Sequence, residues 1–313
     1  MAEDNKAIMA PISKEESLHS STGAKPIALV CGVTGKQGGA TARHLLTSGW
    51  LVRGLTRNLK TPQARSMQAQ GIELIQGDLE DRATLTSAMT GVTGVYGVTP
   101  MDPRSYSEER ELRQGTLIAE VALEVGVPHL VFSSVAGSQD NTGVPHIDVK
   151  GKIEDRINEL GLRATILKPN IFMENLVDPA VAPVFWHLAP KLIGWEKPLP
   201  WVATDDIGAV AAKAFQNPER WAGRILEIVS DRQSLGEARS IYRAIHGRAP
   251  FRFPMPLWAF KRFVGEELVI MWQWQASADF GHHSPELKEM DIKFMELDRF
   301  FRSRMTQSKR KNR

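Results

Sequence analysis

Cysteine is almost absent from this sequence, because Cys31 is the only one among 313 residues. A single cysteine excludes an internal disulfide framework and is typical of a protein in a reducing compartment. We expect Cys31 to pack in the core, because it lies in a predicted strand. Long apolar runs are absent too. No stretch approaches the ~20 apolar residues of a membrane helix, and Pro179 and Pro183 interrupt the richest candidate, residues 177–188.

An excess of charge of one sign is also lacking, with 39 lysines and arginines against 36 aspartates and glutamates. The basic residues are scattered, so we predict no nucleic-acid partner. Residues 1–24 lack the positive start and apolar centre of a signal peptide and are predicted to be a disordered leader. The basic residues of the C-terminal tail are interpreted as a solvated, frayed helix end, with a targeting or anionic-surface tail as the alternative. We therefore expect a cytoplasmic protein without a membrane partner, and a homodimer is compatible with the sequence.

The stretch from residue 26 to residue 46 organises the chain. Its short apolar run, residues 27–31, is bounded by turn residues and predicts a buried parallel strand. Gly32, Gly35 and Gly38 follow, and apolar residues then return at helical spacing. Glycine lets the backbone approach an anion, and the N–H groups and dipole of a helix N-terminus can hold its charge. The pattern predicts dinucleotide binding, and tight packing of helix on strand is the alternative.

The residues after the second predicted strand, 50–56, indicate which dinucleotide is bound. Arg57 stands where an acid would accept hydrogen bonds from a free ribose 2′-hydroxyl, whereas an arginine pairs with a 2′-phosphate. Lys36, inside the glycine turn, adds a second cation on the same side. Both could be ordinary surface charges, but their joint placement favours NADP(H) over NAD(H).

Polar residues end the next predicted strands, at the edge where open α/β sheets bind ligands. Asp78 follows the third strand, residues 72–75, and can accept a hydrogen bond from an adenine amino group. A turn-forming aspartate is the alternative. Ser133 and Ser134 end the fifth strand, residues 129–134. Their hydroxyls are candidates for chemistry, or they cap a loop.

His146 and Lys150 are four residues apart at the start of a predicted helix, so they share one face. A lysine there can hydrogen-bond the nicotinamide ribose, and a histidine can relay a proton near neutral pH. The alternative is a helix start with two solvated polar groups. The sixth strand, residues 163–167, is predicted to end before Pro169, which turns the chain across the carboxyl edge of the sheet.

Together these segments resemble the NmrA-like family of atypical, extended short-chain dehydrogenases/reductases. The similarity runs from about residue 25 to residue 176 and resumes at residues 202–208. It rests on five sequences in a fixed order along the chain: GVTGKQGG, TRN, QGD, HIDVKGKIE and LKPNIFMENL.

The resemblance implies an α/β fold, a Rossmann doubly wound parallel sheet with a smaller, mostly helical C-terminal substrate lobe, and NADP(H) at the carboxyl edge. It places Arg57 at the 2′-phosphate and makes Lys150 the lysine of the dehydrogenase Tyr-x-x-x-Lys pair. His146 occupies the tyrosine position, so the usual phenolic proton donor is absent. The pyrophosphate loop is assigned to Gly32, Thr34, Gly35, Lys36, Gln37 and Gly38. The other cofactor-binding candidates are Asp78, Leu79, Thr99, Ser133, Lys150, Pro169, Asn170 and Phe172.

The predicted organisation has four parts. They are a leader over residues 1–24, a Rossmann domain over 25–176 that resumes at about 200–230, a substrate lobe over 177–199 and 231–303, and a basic tail over 304–313. The lobe is rich in aromatic residues and methionine, which either form a core or line an apolar pocket for a planar substrate. The residues concerned are Trp258, Phe260, Phe263, Met271, Trp272 and Trp274.

We therefore expect an NADPH-dependent oxidoreductase that reduces a small or aromatic carbonyl, quinone or enone-like compound by hydride transfer. In this hypothesis Lys150 fixes the nicotinamide ribose, and His146, Ser134 or a bound water supplies the proton. The alternative is a non-catalytic sensor that binds NADP(H) and changes its affinity for a partner. No metal site is predicted, because the adjacent His282 and His283 lack partner ligands at a metal-binding spacing.

Overall fold

Seven parallel strands form the central sheet of the computed structural model, which describes residues 24–103 and 105–311, with side chains up to residue 306. The described strands are β1 (Ile27–Val30), β2 (Leu51–Thr56), β3 (Glu73–Gln76), β4 (Gly94–Gly97), β5 (Leu130–Ser133), β6 (Ala164–Pro169), β7 (Ile171–Phe172), β8 (Pro198–Val202), β9 (Ile225–Ile228) and β10 (Asp231–Ser234). The sheet order is β3-β2-β1-β4-β5-β6-β9. The direction of winding reverses between β1 and β4, and such a reversal opens a crevice at the carboxyl ends of the strands.

Helices cover both faces of this sheet and form most of the C-terminal region. They are α1 (Lys36–Thr47), α2 (Pro62–Ala69), α3 (Arg82–Met89), α4 (Glu108–Glu124), α5 (Pro145–Glu159), α6 (Ala182–Leu192), α7 (Thr204–Gln216), α8 (Pro218–Trp221), α9 (Leu235–His246), α10 (Leu257–Phe263), α11 (Glu267–Ser277) and α12 (Leu297–Lys311). Helices α1 and α7 pack on one face, and α3, α4 and α5 pack on the other. The α1–α7 contact requires Gly208, because a Cβ there would lie 2.6 Å from the carbonyl carbon of Ala40. The expected Rossmann architecture is thus confirmed.

Strand β1 shows why a buried parallel strand has an uninterrupted apolar sequence. Ala28 and Val30 pack against the α1–α7 side, whereas Leu29 and Cys31 pack against the α3–α5 side. A strand covered by helices on both faces needs an apolar side chain at every position. Burial raises the pKa of Cys31 to about 12, so its thiol stays protonated and packs as a small apolar group.

The C-terminal region is mostly helical, as predicted, but it also contains a small sheet that the sequence patterns did not indicate. Strand β8 pairs with β10 in antiparallel fashion and with β7 in parallel. Pro198 and Pro200 hide β8 from pattern-based prediction, because proline is uncommon within sheets. Large buried side chains from α6, β8 and α12 meet beside this sheet and form a separate core, with Trp186, Trp201 and Phe301 at its centre.

The sixth strand, predicted over residues 163–167, extends further than expected. Pro169 is the last residue of β6, and its carbonyl accepts a hydrogen bond from the N–H of Ala136 at 3.1 Å. Residues 304–311 of the basic tail continue α12. By contrast, apolar residues at helical spacing predict helices over residues 108–124 and 235–246, and α4 and α9 have these bounds.

Three further findings concern the predicted leader, membrane-spanning helices and metal sites. The predicted leader, except residue 24, lies outside the described residues. No helix in the described ranges combines the length and the apolarity that crossing a bilayer requires. The same residues contain no group of three histidine, cysteine or carboxylate side chains that could hold a metal ion.

His129, at the start of β5, gives the fold a pH-dependent stability. Its Nε2 lies 2.9 Å from Oγ1 of Thr165, and its ring packs edge-on against Phe215. Burial, with a smaller effect of Arg163, lowers the pKa of His129 to about 4. Because the folded pKa lies below that of the unfolded chain, the unfolded chain binds the proton first as the pH falls. The stability contribution is complete above pH 6.5 and is lost between about pH 6.5 and pH 4.

We therefore expect His129→Gln to reduce the pH dependence of folding. Between pH 7 and pH 4.5, the free energy of unfolding of the unmodified protein should fall by about 2 kcal/mol more than that of the variant. Urea denaturation at both pH values measures this difference. His282→Gln is the control, because His282 is exposed. Equal losses in the His129 variant and the unmodified protein would contradict the assignment.

Candidate functional site

A cleft of about 510 Å³ opens at the carboxyl ends of β1 to β4, where the winding of the sheet reverses. Its size lies within the roughly 300–1,000 Å³ of small-molecule and cofactor pockets. Eleven predicted cofactor-binding residues line it, contributed by separate loops: Gly32, Thr34, Gly35, Lys36, Gln37, Gly38, Arg57, Asp78, Leu79, Thr99 and Phe172.

The glycine turn between β1 and α1 forms the floor of the cleft and depends on close backbone contact. Gly32 has a φ of +61°, which L side chains rarely adopt. A Cβ on Gly38 would lie 2.3 Å from the carbonyl oxygen of Gly32. Gly35 caps α1 without a side-chain hydrogen bond, and the first turn of α1 has no acidic residue. The N–H groups at this helix N-terminus therefore face the cleft ready to bind an anion.

Gln37 fixes this turn to the sheet below it. Its Oε1 accepts a hydrogen bond from the hydroxyl of Ser133 at 2.7 Å and a longer one from the phenol of Tyr96 at 3.4 Å. Burial raises the pKa of Tyr96 to about 12, so its phenol remains a donor at neutral pH. Ser133 therefore supports the glycine turn and does not line the cleft.

Arg57 lies at the carboxyl end of β2 with an exposed side chain. No hydrogen bond or ion pair joins its guanidinium to another described residue. A free guanidinium can donate bidentate hydrogen bonds to a phosphate. Asp78, across the cleft, accepts the N–H of Glu80 at 3.0 Å, so it is turn-forming as well as cleft-lining.

Lys36 departs from the expectation that it assists Arg57. Its Nζ lies 2.6 Å from Oδ2 of Asp178, in the segment after β7. Although burial opposes the shift, the Lys36 ammonium and the N–H of Ala180 lower the pKa of Asp178. The pair links the glycine turn to the C-terminal region, and it leaves Arg57 as the cation at the end of β2.

Lys150 lies one layer behind the cleft wall. Its Nζ is 2.9 Å from Oε1 of Glu111, and it donates a short hydrogen bond to the hydroxyl of Thr99. Thr99 lines the cleft and donates to the same Glu111 oxygen at 2.6 Å. Lys150 and Glu111 are both buried. The wall thus presents a threonine hydroxyl whose orientation is fixed by a buried ion pair.

His146 is held by the C-terminal region. Its Nδ1 and its backbone N–H both contact Oε1 of Glu267, at 2.6 and 2.7 Å. The ring of Tyr106 stands edge-on to His146, with the centroids 6.2 Å apart. Burial, followed by the charges of Glu111, Glu267 and Glu108, holds the pKa of Tyr106 well above its usual range.

Three more predicted residues, besides Ser133, Lys150 and His146, lie away from the cleft lining. The hydroxyl of Ser134 donates a short hydrogen bond to Oε1 of buried Glu154, which corrects its assignment as a free proton donor. Asn170 donates to the carbonyl of Ile228 in edge strand β9 at 3.1 Å. Pro169 belongs to β6.

The aromatic residues of the C-terminal region do not line the cleft either. Phe260 and Trp272 are buried and stacked, with their centroids 5.3 Å apart, and belong to the core of that region. Trp258 and Phe263 are exposed. Of the two predicted alternatives, a core or an apolar pocket, the core describes Phe260 and Trp272.

Glu111 and Gln114 are site residues that the sequence analysis missed. Gln114 lines the cleft, and Glu111 holds Lys150. Both lie on the buried stripe of α4, seven and four residues before Ile118. Polar residues within an otherwise apolar stripe are the signal that could have revealed them, because buried polar groups need partners.

Comparisons with known proteins agree with this geometry. The model of the NmrA-like family matches residues 24–302. An NmrA-like family domain-containing oxidoreductase, lnaB, of Aspergillus flavus is 31% identical over 253 residues, covering 73% of this chain and 76% of that protein.

Two solved structures share the fold at low sequence identity. NmrA, a negative transcriptional regulator, in complex with NADP, has a TM-score of 0.72 and 18% identity over 92% of this chain and 98% of its own. Triphenylmethane reductase of Citrobacter sp., complexed with NADP(H), has a TM-score of 0.68 and 17% identity, and the match covers 89% of this chain and 99% of the reductase chain.

The buried ion pair of Lys150 and Glu111 leads to a prediction about stability. Glu111→Gln leaves the Lys150 ammonium buried without its carboxylate, so we expect a loss of about 3 kcal/mol in the free energy of unfolding. Adding Lys150→Met removes that uncompensated charge and should recover much of the loss. Denaturant unfolding of the two single variants and the double variant measures the coupling. Strictly additive effects would contradict a direct pair.

Proposed function

This chain belongs to the NmrA-like family, and from that membership and its cleft we propose that it is an NADPH-dependent oxidoreductase. Its substrate would be a small or aromatic carbonyl, quinone or enone-like compound, reduced by hydride transfer. The observation that carries the proposal is the combination of a glycine-floored cleft, an unpaired arginine at one end and a buried lysine behind the other wall.

The residues present fit a phosphorylated dinucleotide. The close approach of Gly38 to Gly32 leaves the first-turn N–H groups of α1 uncovered, which suits a diphosphate. Arg57 would bind the 2′-phosphate, since no acid lies beside it to accept a free 2′-hydroxyl. The related regulator and the related reductase were both solved with NADP or NADP(H), which supports the same cofactor here.

NADPH, when bound, supplies the hydride. The chain supplies orientation and protons. Thr99 donates its proton to Glu111 and accepts from Lys150, so its remaining lone pair is available to a ligand in the cleft. His146 keeps Nδ1 against Glu267, which leaves Nε2 as the ring atom that can hold or release a proton.

A second candidate function is a non-catalytic sensor of NADP(H), and one observation favours it. Each predicted catalytic side chain contacts a carboxylate: Lys150 contacts Glu111, His146 contacts Glu267 and Ser134 contacts Glu154. A regulator needs different affinities for the oxidised and reduced cofactor, or a cofactor that binds two protein conformations differently. It does not need a free proton donor. The similarity to the NmrA regulator is equally compatible with this role.

Turnover separates the two functions. We expect NADPH oxidation with at least one member of a panel of quinones, enones, aldehydes and triarylmethane dyes. The matched variant combines Lys150→Met with Glu111→Gln, so that no charge is left buried alone. It should lose turnover about 100-fold or more, as expected for a lost positioning group, while its NADPH affinity changes little. Undiminished turnover would remove Lys150 from the mechanism. NADPH binding without turnover on any compound would favour the sensor.

The cofactor assignment makes its own prediction. Arg57→Asp should weaken NADPH binding about 100-fold, because it replaces a charge-assisted hydrogen bond with a repulsion, and it should leave NADH binding nearly unchanged. Titration calorimetry measures both affinities. Arg65→Asp is the control, since Arg65 is exposed and does not line the cleft. Equal losses for the two cofactors would contradict the role of Arg57.

A further inference from the structure

Residues 247–265, which we call the aromatic–basic segment, precede α11 and include α10. The segment contains Arg248, Arg252, Lys261 and Arg262 and no aspartate or glutamate. Ten large apolar side chains are exposed in the described part of the chain, and five of them lie here. These are Phe251 (71% exposed), Trp258 (70%), Phe263 (64%), Phe253 (48%) and Leu257 (37%). Exposed apolar side chains at this density mark an interaction surface.

Helix α10 has an inner and an outer side. Phe260 is buried and stacks on Trp272, which attaches the helix to the core of the C-terminal region. Trp258 and Arg262, four residues apart, are exposed and share the side of the helix opposite Phe260. The outer side therefore presents a large aromatic group and a cation together.

The cations of the segment are largely uncompensated. Lys261 pairs with Glu266 at 2.6 Å. Arg248, Arg252 and Arg262 form no ion pair with a described carboxylate, and the Arg262 guanidinium lies 5.8 Å from the ring centroid of Phe263. An aromatic ring beside an arginine keeps the cation available to an outside anion.

Helix α6 extends this positive surface. The N–H of Phe253 donates to the carbonyl of Pro183 at 2.9 Å, which fixes the segment against α6. A shallow groove of about 250 Å³ joins Met255 of the segment to Lys191 of α6. Burial, and then the charges of Lys191 and Arg252, lower the pKa of His187, so these two cations share one neighbourhood.

We propose that the aromatic–basic segment docks this protein on the surface of an anionic lipid bilayer. Aromatic side chains interleaved with lysine and arginine suit the headgroup region, where the rings enter the interface and the cations meet lipid phosphates. The sequence predicts no membrane partner because it lacks a spanning run, but a surface-bound protein needs none. A second copy of the chain is a poorer occupant, because two such patches would face each other with like charge.

The test is co-sedimentation of the full chain with phosphatidylcholine vesicles, with and without phosphatidylserine, at low and high salt. One variant removes three rings by combining Phe251→Ser, Trp258→Ser and Phe263→Ser. The other variant reverses two charges by combining Arg252→Glu and Arg262→Glu. The controls change exposed residues elsewhere: Leu123→Ser, and Lys213→Glu with Arg299→Glu. Thermal unfolding and size-exclusion chromatography of every variant report folding and oligomeric state.

We expect binding to the phosphatidylserine vesicles, weakened by high salt, and about tenfold or more weaker in both segment variants, with both controls unchanged. Absence of binding by the unmodified protein would overturn the proposal. So would binding that the ring substitutions leave intact, because it would be adsorption of a basic protein. A dimer that the segment variants convert to a monomer would identify a second copy as the occupant instead.

Discussion

The close approach of Gly38 to the carbonyl of Gly32 is the constraint on which the rest of this structure depends. Any Cβ at residue 38 would overlap that carbonyl oxygen, at 2.3 Å. The approach brings the N-terminus of α1 to the carboxyl end of β1, and Gln37 then ties the turn to β5 through Ser133. On its far side α1 packs on α7, which is possible because Gly208 lacks a side chain. The cleft floor and the helix packing thus follow from a few backbone contacts.

Three carboxylates with little exposure have a basic partner. Glu111 pairs with Lys150, Glu154 with Lys168 at 3.0 Å, and Glu267 contacts His146. Compensation avoids the cost of an unpaired buried ion, and it also decides which groups remain available to a ligand. At the cofactor cleft, Arg57 and the Thr99 hydroxyl remain available.

Much of the fold could be predicted from sequence because its signals are local. The run of residues 27–31, the glycine spacing and the apolar stripe of α4 can each be recognised within a short stretch of sequence, whichever distant elements they pack against. The partners of Lys36, Ser134 and His146 could not be predicted, because Asp178, Glu154 and Glu267 come from distant or separately folded elements. Strand β8 was missed because Pro198 and Pro200 contradict strand propensity, and pairing with β10 overrides that propensity.

The most direct test of the central claim is the salt dependence of cofactor binding by the unmodified protein. Titration with NADPH and NADH at low and high ionic strength isolates the contribution of the 2′-phosphate, since the two ligands differ only there. If Arg57 reads that phosphate, NADPH binds more tightly at low salt and its advantage shrinks as salt screens the contact. Equal affinities at low salt, or an advantage that salt does not change, would contradict the account.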